Sequence, residues 1–487
     1  MTDVLITHSY FLRFDQKQER AMMPYPPLGA LYAASALENL RFSVALFDTM
    51  LADAEEEMRV HCAKHRPAVV AIYDDDFNYL NKMCLSRMRE ATFVMAKIAK
   101  DHGAFVVVHG SDATDHAEEY LGQSADVVII GEGEETLSQI CQMVVRNSGE
   151  KLDAIPGVAF RSDAGIVRSQ PRVASKNLDR LSFPAWHLID AEKYRRAWTK
   201  RHGYFSLNMV TTRGCPYHCN WCAKPIYGQV YNSRSPENVV EEIELLKRTL
   251  NPDHIWFADD IFGLRPGWVE RFAELIKQKK IEIRYKIQSR ADLLLENRTI
   301  QALAESGCEE VWLGAESGSQ KILDAMEKGT RVSQIYAART LLKKFGIKTA
   351  FFLQFGYPGE DDRDIEATIQ MVKELMPDDL GISISYPLPG TKFYDKVKAE
   401  LIEKKNWVDS SDLALMFRGT YSPAYYRRLH RYVHRLYRFR KGLRTIADLI
   451  ALNTSLSKRT LRAAMLVGYF APAALLDRCM LFYLVRQ

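Results

Sequence analysis

Three of the chain's eight cysteines, Cys215, Cys219 and Cys222, fall in one stretch, TTRGCPYHCNWCAKP (residues 211–225), at C-x3-C-x2-C spacing. Thiols this close in sequence are disulfide partners in an oxidising compartment and metal ligands in a reducing one. Zinc needs a fourth ligand; His218 lies inside the segment, yet no second C-x-x-C pair follows downstream as a zinc ribbon requires. Iron–sulfur clusters normally take four thiolates, so three cysteines point to a 4Fe-4S cluster with one iron open to a ligand. Pro216 helps to stiffen the loop that carries them. The other cysteines (Cys62, Cys84, Cys141, Cys308 and Cys479) stand singly among apolar neighbours and read as small buried hydrophobes.

The first twenty residues place Asp3 ahead of the apolar positions, with no basic leader and no cleavage site. That is not a secretory pattern, so the expectation is a cytoplasmic chain with reduced thiols and no disulfide framework. At 487 residues the chain has room for about three domains. Its 47% hydrophobic and 26% charged residues are ordinary for a globular protein, which excludes a disordered chain. A net charge of +5 is too mild to demand a nucleic-acid partner, and no uninterrupted apolar run reaches the ~18 residues that span a bilayer.

The elements that must position the cysteines repeat from about residue 200. SLNMVTTR, HIWFADD, YKIQSRA, EVWLGAES, KTAFFLQFG and GISISYPLPG read as strands, each followed by a helix or loop, at the spacing of βα units. Six such units predict a partial parallel barrel, whose functional groups sit at the carboxyl ends of the strands. There the sequence puts Arg213 and the cysteines, Asp259 and Asp260, Ser289, Arg290 and Asp292, Glu316, and Gly356 with Tyr357 and Pro358.

The first third reads as a doubly wound parallel sheet. VLITHSY, SVALFDT, AVVAIYD, FVVVHGS and VVIIGEG are short β-branched runs separated by helical patterns. Ligands of such sheets bind beyond the carboxyl ends of the strands, here His8, Asp48, Asp74, Gly110 with Ser111, and Gly131 with Gly133.

Beyond these patterns the wording PYPPLGALYAASALE, HGSDATDHAEEYLGQSADVVIIGEGEETL and NLDRLSFPAWHLID resembles the cobalamin-binding domain and linker of cobalamin-dependent radical S-adenosylmethionine enzymes. The C-x3-C-x2-C segment, with Trp221 before its last cysteine, resembles the hallmark of that superfamily. The resemblance implies cobalamin over the first sheet, with contacts from Pro26, Leu28, Gly29, Met50, Gly110, Ser111, Gly131, Glu132 and Gly133. It also implies a 4Fe-4S cluster on Cys215, Cys219 and Cys222 whose open iron is chelated by S-adenosylmethionine, the source of a 5′-deoxyadenosyl radical. Asp259 and Asp260 match the motif that holds the methionine amine, Asp260 being alternatively a helix N-cap. Ser289 and Arg290 would meet the methionine carboxylate, unless Arg290 pairs with Asp292 alone. Glu316 would take the ribose hydroxyls, and Gly356 lies near the adenine. The histidine that ligates cobalt in base-on relatives is replaced by Met50 in DTMLAD, so no histidine ligand is expected and Met50 reads as a packing residue. The run Asp74, Asp75, Asp76 departs from the small residues expected there and reads as a solvated turn, or as a face toward the corrin or substrate.

The implied organisation is a Rossmann-like cobalamin-binding domain over 1–150, a linker over 151–199, a radical barrel over 200–400 and a helical cap over 401–487. The implied activity is methylation of an unactivated carbon, or less often phosphorus, through methylcobalamin; the alternative within the family is oxidative cyclisation or rearrangement. An alternative of another class is an iron–sulfur protein whose first domain docks a partner or senses cobalamin. The partners expected are a small-molecule or lipid-like substrate and a reductant such as flavodoxin or ferredoxin, with no nucleic acid. The C-terminal part carries eight Lys or Arg and no acid between 427 and 444, then an apolar stretch broken by Pro472, Asp477 and Arg478. It reads as a cap over the barrel mouth with a solvated basic face, compatible with peripheral membrane contact through 427–487.

Overall fold

The computed structural model describes residues 2–74, 77, 85–224, 226–404, 406–451 and 457–485. Its first sheet contains β1 (Val4–Thr7), β2 (Val44–Phe47), β3 (Val69–Tyr73), β4 (Phe105–His109) and β5 (Val127–Ile129). They pair in parallel in the order 2-1-3-4-5. Continuous apolar strands are what a sheet covered on both faces requires, and two separate buried clusters, one containing Leu5, Val70 and Val106 and the other Val4, Ala71 and Val107, occupy those faces. The order reverses between β1 and β3, which opens a crevice at the carboxyl ends of those two strands.

The segment read as a linker contributes more than a connection. β6 (Val158–Ser162) and β7 (Gly165–Arg168) form a hairpin that continues the sheet antiparallel from β5. A strand edge presents unpaired donors and acceptors, and this hairpin covers the β5 edge.

The second sheet is built from β8 (Ser206–Met209), β11 (His254–Phe257), β12 (Arg284–Ser289), β13 (Cys308–Glu316), β14 (Lys348–Phe355) and β15 (Asp379–Ile384), all parallel and adjacent in chain order. It is the predicted six-stranded partial barrel. Between β8 and β11, the short strands β9 (Thr212–Arg213) and β10 (Asn232–Ser233) pair antiparallel and pinch off the cysteine loop. A segment around 401–417 returns to the first domain, where the Asp15 carboxylate accepts hydrogen bonds from Ser410 N and Oγ at 3.1 and 2.8 Å.

The C-terminal region is helical, as read, but its long helix does not sit over the barrel mouth. Helix Pro423–Ile450, capped by Ser422, starts with Tyr426 against Gly356 at the carboxyl end of β14. Farther along, Tyr437 Oη donates to the carbonyls of Pro377 and Asp378, which precede β15. It therefore runs down the flank of the barrel beside the edge strand β15, burying Tyr425, Tyr426, Leu429, Tyr432, Val433 and Tyr437. Helix Val467–Val485 packs on it, the two approaching closely where Gly442 leaves no room for a Cβ against Val467 and Ala463. This 19-residue helix is long and apolar enough to cross a membrane by length and composition, the one such helix among the described residues.

Candidate functional site

The cysteine loop is held by its own backbone and by the barrel. At Gly214 φ is +77°, and a Cβ there would collide with the Val230 carbonyl oxygen, so the turn into Cys215 requires glycine. Lys224 Nζ donates to the carbonyls of Cys215 (3.0 Å) and Tyr217, closing the loop on itself. Asn220 anchors it to the barrel: its N and Nδ2 donate to the carbonyls of Met326 and Ala325 at 3.0 and 2.8 Å, and its Oδ1 accepts from Tyr357 Oη at 2.9 Å. Cys215 is buried and Cys219 and Cys222 are half-buried, all three free of disulfides. Burial pushes the Cys215 thiol up, opposed by the Lys224 ammonium, and thiolate ligation there depends on the charge of what is bound. Three thiols on one braced loop, with a lysine beside them, are the donor set of a cluster that leaves one iron free rather than of a site needing four protein ligands, although among the described residues no three ligating side chains converge on one metal position.

The neighbouring strand ends separate into groups that face the cysteines and groups that hold the frame. Asp259 belongs to the frame. Its carboxylate is fully buried and accepts from Thr211 N (2.7 Å), Thr211 Oγ1 (2.9 Å), Thr212 N (2.7 Å) and Thr212 Oγ1 (2.8 Å). Burial raises its pKa to about 6 despite the four donors. Asp259 does point inward, whereas the alternative of a helix N-cap at Asp260 does not hold: Asp260 is exposed in the cleft, and the next helix starts only at Trp268. The reason is the threonine pair at 211–212, whose four donors hold the Asp259 carboxylate, three on Oδ1 and one on Oδ2.

Arg290 makes a two-pronged ion pair with Asp292 (3.0 and 2.9 Å) and donates to the Lys328 carbonyl at 2.9 Å. Its guanidinium also lies over the Tyr217 ring at 3.7 Å, so it braces the cysteine loop. Ser289 is buried at the end of β12. Glu316 ends β13 at φ +57°, after a register shift between Gly314 and Glu316. A left-handed non-glycine residue costs on the order of 1–3 kcal/mol and persists only where its surroundings fix it. What fixes it is Lys328, whose Nζ lies 2.8 Å from Glu316 Oε1 with both side chains buried. Burial alone would lower the Lys328 pKa, but Glu316 and Cys219 raise it, so the pair is ionic. Gly314 makes the space, since a Cβ there would come within 2.8 Å of Lys328 Nζ. Lys328 was not legible in the sequence, lying twelve residues past its partner in an ordinary helix-to-loop segment. Gly356 (φ +80°) donates its N–H to buried Glu360 Oε2 at 2.6 Å.

Arg213, immediately before the cysteine loop, joins the two domains. It is fully buried and ion-paired to both Glu132, in the loop after β5, and Glu134, the first residue of the helix that follows. Its guanidinium faces the rings of Tyr32, Phe77 and Tyr227 at 5.3–5.8 Å. Burial opposes its charge, yet Glu134, Tyr227 and Glu132 hold its pKa well above the ordinary value. Glu132 also accepts from Ser175 N at 2.6 Å. Its carboxylate is thus engaged by the interdomain clamp, not directed to a ligand.

Of the other residues assigned to cobalamin, Ser111 lines the cleft, and Gly131 stands where a Cβ would be 3.6 Å from the Ile226 carbonyl of the cysteine loop. A Cβ at Gly133 would collide with Tyr73 and His109, whose rings stack at 4.0 Å. Gly110 packs on Asp74, which accepts from Ser9 N and Oγ at 2.7 and 2.8 Å; this aspartate is a buried tie across the switch point, not a solvated turn. Asp75 and Asp76 lie outside the described residues. Met50, Leu28 and Gly29 are buried in the core, and the Pro26 carbonyl accepts from Asn208 of β8 at 3.1 Å, so these four sit in packing between the domains.

The result is a narrow cleft with walls from both halves: Phe77 and Ser111 on one side, Thr212, Gly214, Lys224 and Tyr227 of the cysteine loop on another, and Ala258 to Asp260 at the end of β11. Residues 209–372, the barrel from its first strand through the helix after β14, match the radical SAM superfamily. Residues 209–372 are a radical SAM domain. An uncharacterised methyltransferase of Pyrococcus horikoshii is 29% identical over 78% of this chain and 81% of its own length. The anaerobic magnesium-protoporphyrin IX monomethyl ester cyclase of Rubrivivax gelatinosus is 26% identical over 79% and 69%. Among solved structures, the cobalamin-dependent S-adenosylmethionine radical enzyme OxsB, with aqua-cobalamin and S-adenosylmethionine bound, superposes at TM-score 0.73 and 16% identity over all of this chain and 73% of its own. The two-domain fold of the chain is therefore that of OxsB.

Proposed function

We propose that the protein is a cobalamin-dependent radical S-adenosylmethionine methyltransferase, acting on an unactivated carbon of a small or lipid-like molecule. The observation that carries this is the shared cleft. Ser111 and Gly131 from the ends of β4 and β5 stand beside Gly214, Ile226 and Asp260 of the barrel, so a corrinoid over the first sheet and S-adenosylmethionine over the cysteines would face one substrate. When bound, these groups supply one-electron cleavage of the sulfonium and a transferable methyl; the chemistry is the cofactors' own.

The chain's own residues bind, orient and exclude water. Cys215, Cys219 and Cys222 hold the cluster. Asp260, the free carboxylate at the β11 end, takes the methionine amine by a charge-assisted hydrogen bond. Glu316 and Lys328 together present one acceptor and one cation to the ribose and carboxylate, and Ser289 stands at the end of the adjacent strand β12. Phe77, Tyr227 and the buried Arg213 clamp close the cleft wall against solvent, where a radical would otherwise be quenched. A small acidic electron carrier of the flavodoxin or ferredoxin class is the reductant.

The test is an anaerobic incubation of reconstituted protein with methyl-labelled S-adenosylmethionine, reductant and cobalamin. The reading expects 5′-deoxyadenosine together with label in the corrinoid fraction. Deoxyadenosine without labelled corrinoid would instead support oxidative cyclisation, the activity named for the Rubrivivax relative. Neither product from protein shown to hold its cluster would overturn the enzyme reading.

A further inference from the structure

The outward face of helix Val467–Val485 is apolar and open. Tyr469, Leu475, Leu476, Phe482 and Tyr483 are each 57–65% exposed, and Met465, at the end of the preceding helix, is 73% exposed. A soluble surface rarely keeps so many large apolar side chains contiguous without something to cover them. The polar interruption of this helix is turned the other way. Asp477 is completely buried against the neighbouring helix, where Arg428 and Arg435 reach it at 2.8 and 2.7 Å. Arg478 bends back to the Tyr432 hydroxyl at 3.3 Å. The outward face is thereby left to apolar groups and two tyrosines, the composition favoured where water meets lipid.

The helix beneath supplies charge of one sign. Between residues 427 and 444 it carries eight Lys or Arg and no acid, and Asp477 neutralises part of only two of them. Arg427, Arg431, Arg438, Arg440, Lys441 and Arg444 remain exposed along its flanks. At the far end Lys441 and Arg444 join Lys343 around a groove on the barrel's underside.

We propose that this helix pair is a docking surface for an anionic phospholipid bilayer, lying in the plane of the interface with the outward face of Val467–Val485 among the acyl chains and the arginine flanks at the head groups. Charge complementarity selects this occupant. A second copy seated on the same face would bring two arginine-rich helices together, and like charges oppose that contact. A transmembrane path is excluded because one side of the helix is ion-paired to a helix whose arginines cannot enter hydrocarbon. The inference is independent of the chemistry in the cleft, and its test reads binding alone.

The experiment is flotation of the full-length protein with vesicles of phosphatidylcholine alone or mixed with phosphatidylglycerol. The protein is expected to float with the mixed vesicles at low salt and much less with phosphatidylcholine alone. Arg427→Gln and Arg431→Gln should each weaken binding about fivefold, the value of one cation near an anionic surface. Leu476→Ser with Phe482→Ser should remove the binding that survives high salt; these side chains are exposed, and an unchanged circular dichroism spectrum checks the fold. No flotation with either vesicle overturns the proposal. So does equal flotation with both, or a protein dimer abolished by Leu476→Ser with Phe482→Ser while flotation persists.

Discussion

Replacing Arg213 by methionine tests the interdomain clamp. The guanidinium is buried and holds two carboxylates, Glu132 and Glu134, that water does not reach, both being buried as well. Removing one partner of a buried ion pair costs about 3–5 kcal/mol, because the charge left behind is neither solvated nor paired. Here two carboxylates are left, and the contacts with the Tyr32, Phe77 and Tyr227 rings go as well. The upper part of that range is expected, a shift of about 1 M or more in a urea midpoint. The control is a second change. In the Arg213→Met background, Glu134→Gln removes one stranded charge and should restore stability, although Glu134→Gln alone destabilises. Urea unfolding followed by tryptophan fluorescence reads both. A loss below about 1 kcal/mol in Arg213→Met, or strictly additive losses in the double variant, would refute the claim that the clamp is buried and coupled.

Four further variants test the site and its frame. Asp259→Asn should lower stability by about 1–3 kcal/mol, since an amide meets four donors with one acceptor, whereas Asp260→Asn should leave the melting temperature unchanged and weaken S-adenosylmethionine binding in calorimetry. Glu316→Lys, which sets two cations together beside Lys328, should abolish S-adenosylmethionine cleavage; intact production of 5′-deoxyadenosine would remove Glu316 from the site. Glu360 is buried with Oε1 unpartnered, and burial raises its pKa from 4.5 to about 8. A raised folded-state pKa means the protonated carboxyl stabilises the fold, so that contribution is complete below pH 4.5 and falls away as pH rises through about 8. Glu360→Gln should flatten that decline in a series of melting curves, and an unchanged slope would show that Glu360 is ionised in the fold.

Much of this was legible in the sequence because it depends on local composition. The five strands of the first sheet are continuous β-branched runs bounded by polar ends, and the cysteine spacing is a property of one short loop. What was hidden depends on distance. Nothing in WFADD distinguishes Asp259 from Asp260, because the distinction is made by Thr211 and Thr212 on another strand. Lys328 meets Glu316 only once β13 is folded and shifted in register. Glu132 read as a ligand contact because its loop follows a parallel strand, and its engagement by Arg213 is visible only when the barrel is docked. The hairpin at 158–168 was read as linker because two short strands at a sheet edge carry little apolar signal of their own. The long arginine-rich helix was recognised as a helix, but its path down the barrel flank is set by the open edge at β15.

The central claim is that both cofactors look into one cleft. Pulsed electron paramagnetic resonance on protein loaded with the reduced cluster and with cobalt(II) corrinoid measures it directly. A dipolar coupling between the two paramagnets, lost in a Cys219→Ala variant that retains corrinoid, is the result expected. Two uncoupled signals in fully loaded protein would place the cofactors on separate faces and contradict the account.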